Sequence, residues 1–223
     1  METDMEQEGV VAEDVVREIL DLEWDMFSRV QSLDGPVACQ QNPRAFEIMR
    51  SSQIVSWNQE VALSYLGDLK EAVADGRNLM TEKYARMMEY TAPCEFSRMG
   101  PSLPALDREA EPLLERLSRV SVGWMEELVA KYPHVGAQGR PLHASEDGRF
   151  TTSFETYNRG ELSTYSTKTL QLLLDHYLVL AAGGTNPAEV ILRHTVQKQG
   201  FASLERAEAV QKARVERAVG REA

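Results

Sequence analysis

The residues best equipped for chemistry are polar side chains standing where helical periodicity asks for apolar ones. Phe46, Arg50, Gln53 and Trp57 recur at i, i+4, i+7 and i+11, so a helix would put all four on one face. Aromatic residues at both ends predict that the face is covered, and a covered guanidinium is costly unless paired. Arg50 is therefore either a clamp for a substrate carboxylate, with planar paired donors that suit it, or half of a structural ion pair. The same conflict recurs over Phe154, Tyr157, Glu161 and Tyr165, with Thr164 beside them. Glu161 is the carboxylate best placed to lose its water. Burial would raise its pKa and a nearby Arg would lower it, and either state suits proton transfer or substrate clamping. Tyr157 and Tyr165 are the candidates to assist it.

Two charged pairs complete the candidate set. Glu82 and Arg86 stand at i,i+4 beside a core face of Met80, Tyr84, Met87 and Met88, and Glu155 and Arg159 share the same spacing. Glu82, Arg86 and Arg159 join Arg50, Gln53 and Trp57 as candidate substrate contacts. Their plain alternative is a solvated surface pair, worth roughly a few tenths of a kcal/mol.

Other reactive residues give weaker signals. Cys39 precedes a helix start at Asn42-Pro43, where the positive helix end would favour a thiolate; the alternative is a small buried hydrophobe. Cys94 has no such context, and the two thiols lack zinc or redox spacing. His134, His143, His176 and His194 are scattered without metal-ligand spacing. No HExxH, P-loop, GxGxxG or GxSxG pattern is present, so neither a metal nor a nucleotide cofactor is expected.

Three segments carry a resemblance. CQQNPRAFEIMRSSQIVSW at 39–57, GRNLMTEKYARMM at 76–88 and TSFETYNRGELSTYS at 152–166 resemble the bacterial domain-of-unknown-function 4125 family. The likeness runs from about Glu23 to Glu208. It implies a family and no particular reaction.

The elements that must position these residues read as helices. Val15, Ile19, Leu22, Met26 and Val30 predict a first helix over about Ala12 to Gln31, broken by Asp34-Gly35-Pro36. Asn42-Pro43 opens a second, predicted to run on to about Asp75 with a bend at Gly67, before Gly76 stops it. A third covers Leu79 to Tyr90 and a fourth about Asp107 to Tyr132. Proline and glycine predict long loops over 91–106 and 133–148, the kind that often carry function. A fifth helix is predicted from Ser153 to about Ala182, a sixth from Asn186-Pro187 to Gly200, and a polar seventh from Ser203, fraying past Arg214. The expectation is an all-α, single-domain bundle of about six to seven helices over 1–223, with 1–11 and 215–223 frayed.

Composition bounds the function. A net charge of −11 repels phosphate backbones, so nucleic acid is not an expected partner. Residues 1–25 hold ten acids against one base, Arg17, which reads as a solvated, fraying start. No signal peptide and no run long enough to span a bilayer is expected, so the reading is a cytoplasmic protein without a membrane partner. The leading expectation is a cofactor-independent lyase, isomerase or hydrolase acting on a small polar metabolite, carboxylate or amino-acid-like, with a homodimer as one possible state. The alternatives are a non-catalytic ligand-binding or sensor protein, and a structural helical protein with a buried polar network.

Overall fold

Capping side chains set most of the helix starts. The computed structural model describes residues 11–31, 38–99, 103–148 and 151–222. The chain enters α1, Glu13–Ser28, and passes a 3-10 turn at Ala38–Gln41. Asn42 accepts a bond from the Ala45 N–H at 3.0 Å, and Pro43 takes the first position of α2, Pro43–Ile54. Asn58 caps α3, Gln59–Ala74, through the Val61 N–H, and Asn78 caps α4, Leu79–Thr91, through the Thr81 N–H. Then come α5, Pro93–Met99, α6, Ala110–Lys131, and α7, Pro133–Gly136, followed by a 3-10 turn at Ala144–Glu146. Ser153 caps α8, Phe154–Leu162, and Ser166 caps α9, Thr167–Ala182. Asn186 caps α10, Pro187–Lys198, and α11 runs Leu204–Glu222. No strand occurs among the described residues, where a lone bridge pairs Gly148 with Thr151.

The helical class is as the sequence predicts, but the described residues form eleven α-helices rather than six or seven. Two long helices of the sequence reading are each two helices. After Ile54 the backbone tightens: Ser56 N–H bonds Gln53 O at 3.1 Å, Trp57 N–H bonds Ile54 O at 3.0 Å, and the Ser56 hydroxyl also takes the Gln53 carbonyl at 2.7 Å. After Leu162 the Ser163 and Thr164 hydroxyls bond the carbonyls of Gly160 and Glu161 at 2.8 and 2.7 Å. In both places hydroxyl side chains compete for helix carbonyls, and the next residue with a capping oxygen starts a new helix. The two predicted loops gain short helices, α5 and α7. Gly76 closes α3 as expected, with φ of 68° and an Arg77 N–H to Ala72 O bond of 2.8 Å. The break at Asp34-Gly35-Pro36, the Cys39 side chain and the acidic residues 1–10 lie outside the described residues.

Two apolar clusters form the interior. The larger draws Ile19 and Met26 from α1, Val61, Leu66 and Leu69 from α3, and Leu170 and Leu173 from α9. The smaller joins Leu128 and Tyr132 to Val196, Leu204 and Ala207, so α10 and α11 close one end. No helix among the described residues is long and apolar enough to cross a membrane. α8 packs against both α4 and α6. The approach to α4 is close at Gly160, where a Cβ would stand 2.7 Å from Met87 Cγ and 3.1 Å from the Lys83 carbonyl oxygen. That closeness lets a side chain of α4 reach the carboxylate of α8.

Candidate functional site

Glu161 leaves α8 one residue after Gly160 and points inward, 4% exposed. Its Oε1 accepts from Arg50 Nη1 at 2.8 Å, Gln53 Nε2 at 2.8 Å and the Tyr165 hydroxyl at 2.9 Å. Its Oε2 accepts from Lys83 Nζ at 2.6 Å. Arg50, at the end of α2, turns its other edge to Glu23 of α1: Nε donates to Oε2 at 2.7 Å and Nη2 donates to Oε1. The Tyr65 hydroxyl of α3 donates to the same Glu23 Oε1 at 2.6 Å. Glu23, Arg50, Lys83 and Glu161 are all buried, and two anions face two cations.

Such a network persists because every charge has a partner of opposite sign and hydrogen bonds besides. Burial would raise the Glu161 pKa, but Arg50 and Lys83 outweigh it and hold the carboxyl well below its usual range. Burial would lower the Arg50 pKa, but Glu161 and Glu23 drive it well above its ordinary value. Burial, reinforced by the adjacent carboxylates, pushes the Tyr65 and Tyr165 hydroxyls well up. Around the ions the rings of Trp57, Tyr65 and Tyr165 pack together, with Tyr65 and Tyr165 centroids 4.7 Å apart. Lys83 Nζ stands 3.7 Å from the centroid of the Tyr157 ring, and the Arg140 guanidinium stacks on the same ring at 4.6 Å.

The fold therefore brings together Arg50, Gln53, Trp57, Tyr157, Glu161 and Tyr165, six of the residues singled out from sequence. It separates Glu82, Arg86 and Arg159 from them. Glu82 takes Arg77 at 2.9 and 2.7 Å rather than Arg86. Arg159 takes Glu115 of α6 at 2.9 and 2.5 Å, while Glu155 accepts from the Ala144 N–H at 2.8 Å. Arg86 donates to the Pro104 carbonyl and so tethers the segment leading into α6. Helical spacing alone cannot choose between a partner one turn away and a better-placed one just before the helix, as Arg77 is, or on another helix, as Glu115 is.

Arg86 and Arg159 meet again on the outer side of α8. A cleft of about 80 Å³ opens between α4, α6 and α8, lined by Arg86, Glu89, Tyr90, Glu111, Glu115 and Arg159. Its floor includes Gly160, the residue before the buried Glu161. No group of three or more His, Cys, Asp or Glu residues among the described residues is arranged to hold a metal ion.

Glu23, Tyr65 and Lys83 were not singled out from sequence. Two of them carried a signal. Glu23 falls between Ile19 and Met26 on the apolar stripe of α1, and Lys83 between Met80 and Met87 on that of α4. A charge inside an apolar stripe is the same anomaly that marks Arg50 and Glu161.

The family described as Protein of unknown function (DUF4125) matches residues 13–209 of this chain, in agreement with the resemblance of the three segments. No curated protein and no solved structure matches. The matched span holds the whole buried network and every residue of the cleft.

Proposed function

The chain belongs to the DUF4125 family, and on that footing we propose that it binds a small polar metabolite in the cleft between α4, α6 and α8. One observation carries the reading: the cleft unites Arg86 and Arg159, which are far apart in sequence, with three carboxylates and the Tyr90 ring around a small concave space. Convergent polar groups around a concave space are the usual form of small-ligand sites, and at about 80 Å³ this cleft would hold part of a ligand whose remainder stays toward solvent. The buried network behind it serves as the rigid support that such a site needs. It ties α1, α2, α4 and α8 through Glu23, Arg50, Lys83 and Glu161.

The reading favours binding over turnover by Glu161. Both Glu161 oxygens are engaged by internal donors, and the carboxyl is held ionised by Arg50 and Lys83. A general base needs a proton donor from the substrate within hydrogen-bond reach, and a general acid needs its proton. The net charge of −11 disfavours nucleic acid, and the free thiol of Cys94 suits a reducing, cytoplasmic compartment.

The test is native mass spectrometry of freshly purified protein, followed by titration of the recovered compound into Arg86→Ala and wild type. A co-purifying small molecule is expected, recovered chemically unchanged after incubation. Its affinity is expected to fall by roughly tenfold or more in the variant, as for loss of a charged contact. Equal affinity in Arg86→Ala would remove the cleft from consideration, and a chemically altered ligand would restore the enzymatic reading.

A further inference from the structure

The ionic pairing inside the cleft distinguishes among polar metabolites. Arg159 spends both terminal nitrogens on the two oxygens of Glu115, so that pair is internally neutral. The Arg159 hydrogen bonds hold the Glu115 carboxyl below its usual range, so the pairing persists through neutral pH. Arg86 has a different position. Its single described bond goes to the neutral Pro104 carbonyl, and it makes no ion pair among the described residues. Glu89 and Glu111 also make no ion pair among the described residues, and both are exposed to the cleft. The unpaired charges are thus one cation and two anions. Leu106 and Leu114 line the same space and add apolar surface to it.

Resting on the reading of this cleft as a ligand site, we infer that its ligand is a basic amino acid: one carboxylate and two cationic nitrogens joined by an aliphatic stem. The carboxylate meets the free donors of Arg86, whose planar fork suits it. The two ammonium groups meet Glu89 and Glu111, and the stem lies along Leu106 and Leu114. The Tyr90 ring lines the same space but already faces the Arg159 guanidinium, 6.0 Å from its centroid, so the carboxylates are left to hold the ligand's cations. A dicarboxylate would bring a second anion to two unpaired glutamates, and a neutral amino acid would leave one of them unanswered. The net negative charge of the whole chain also draws a cationic ligand toward the surface.

The experiment is isothermal titration of the full chain with four probes: L-lysine, L-alanine, succinate and 1,5-diaminopentane. L-lysine is expected to bind roughly tenfold or more tightly than L-alanine and 1,5-diaminopentane, each of which lacks one ionic contact, and by more than that over succinate, which lacks two. Glu89→Gln combined with Glu111→Gln is expected to erase the preference for L-lysine over L-alanine. Arg86→Gln is expected to weaken L-lysine and leave 1,5-diaminopentane unchanged. Both glutamates are exposed, so the substitutions spare the core, and a circular dichroism melt of each variant checks this. Succinate binding more tightly than L-lysine, or L-alanine equalling it, overturns the inference and leaves the cleft as a ligand site. Binding of none of the four overturns the inference too. In that case a retained compound in the mass spectrum that is lost with Arg86→Ala preserves the cleft, and the lack of one removes it.

Discussion

Arg50 and Glu161 meet 2.8 Å apart in the interior although they stand 111 positions apart in the chain. The contact joins the end of α2 to α8, and it is one of two that Arg50 makes with carboxylates, the other being to Glu23. The pair fixes which faces of these helices look inward, so its loss should be read in stability before it is read in binding.

Glu161→Gln keeps the shape of the side chain and removes its charge, leaving Lys83 with no carboxylate partner among the described residues. Breaking a buried ion pair from one side is expected to cost about 3–5 kcal/mol. A urea melt measures it. Ligand affinity in the fraction that remains folded is expected to change far less than stability, because Glu161 faces the interior and does not itself line the cleft. A loss of affinity with an unchanged melt would return Glu161 to the site.

Acid and alkali should destabilise the protein for separate reasons. Arg50 and Lys83 hold the Glu161 carboxyl below its unfolded value of about 4.3, so its contribution is present above that pH and is lost as pH falls below it. Burial and the adjacent carboxylates hold Tyr65 and Tyr165 above their unfolded value of about 10, so their contribution is complete below that pH and is lost as pH rises past it. Melting temperature against pH is therefore expected to fall on both flanks. Phenolate absorbance from these two rings should grow in only as the protein unfolds. Ionisation of both tyrosines in a chain still fully folded would contradict their burial against Glu23 and Glu161.

Two helical glycines should respond in opposite directions. Gly160→Ala drives a Cβ to within 2.7 Å of Met87 Cγ and 3.1 Å of the Lys83 carbonyl, so α8 and α4 must part. Overpacking of this kind costs about 1–3 kcal/mol. Gly67→Ala on α3 meets nothing within 4 Å and should gain about 0.5–1 kcal/mol from helix propensity. Parallel denaturant melts decide it, and equal effects at the two positions would deny the close α4–α8 approach.

The capping residues at the two unforeseen helix starts should each matter modestly. Asn58→Ala and Ser166→Ala remove the acceptors of the Val61 and Thr169 N–H groups. Each is expected to cost about 1 kcal/mol in a thermal or chemical melt. A stabilising effect of Asn58→Ala would mean that α2 and α3 tend toward one continuous helix.

The sequence by itself determined the helical class, the capped starts at Asn42, Asn78 and Asn186, the stop at Gly76, and the family. Those features are local: a cap bonds a backbone three residues away, and an apolar stripe repeats within one helix. The sequence also marked Arg50 and Glu161 as out of place, because a charge between aromatic or apolar neighbours is visible within a single turn. It did not reveal that Ser56–Trp57 and Ser163–Tyr165 interrupt the helices, since hydroxyls compete with the backbone only when packing favours the break, as it does where Trp57 and Tyr165 turn into the core. Tertiary structure decided the long-range partners. Arg159 chose Glu115 over Glu155, because a bidentate bond in good geometry outweighs a neighbour one helical turn away; Glu82 took Arg77, five residues before it at the entry to α4, over Arg86. It also sorted the marked residues into a sealed core and an open cleft, since the rotation of α8 about its axis, set by Gly160 against Met87, sends Glu161 inward and Arg159 out.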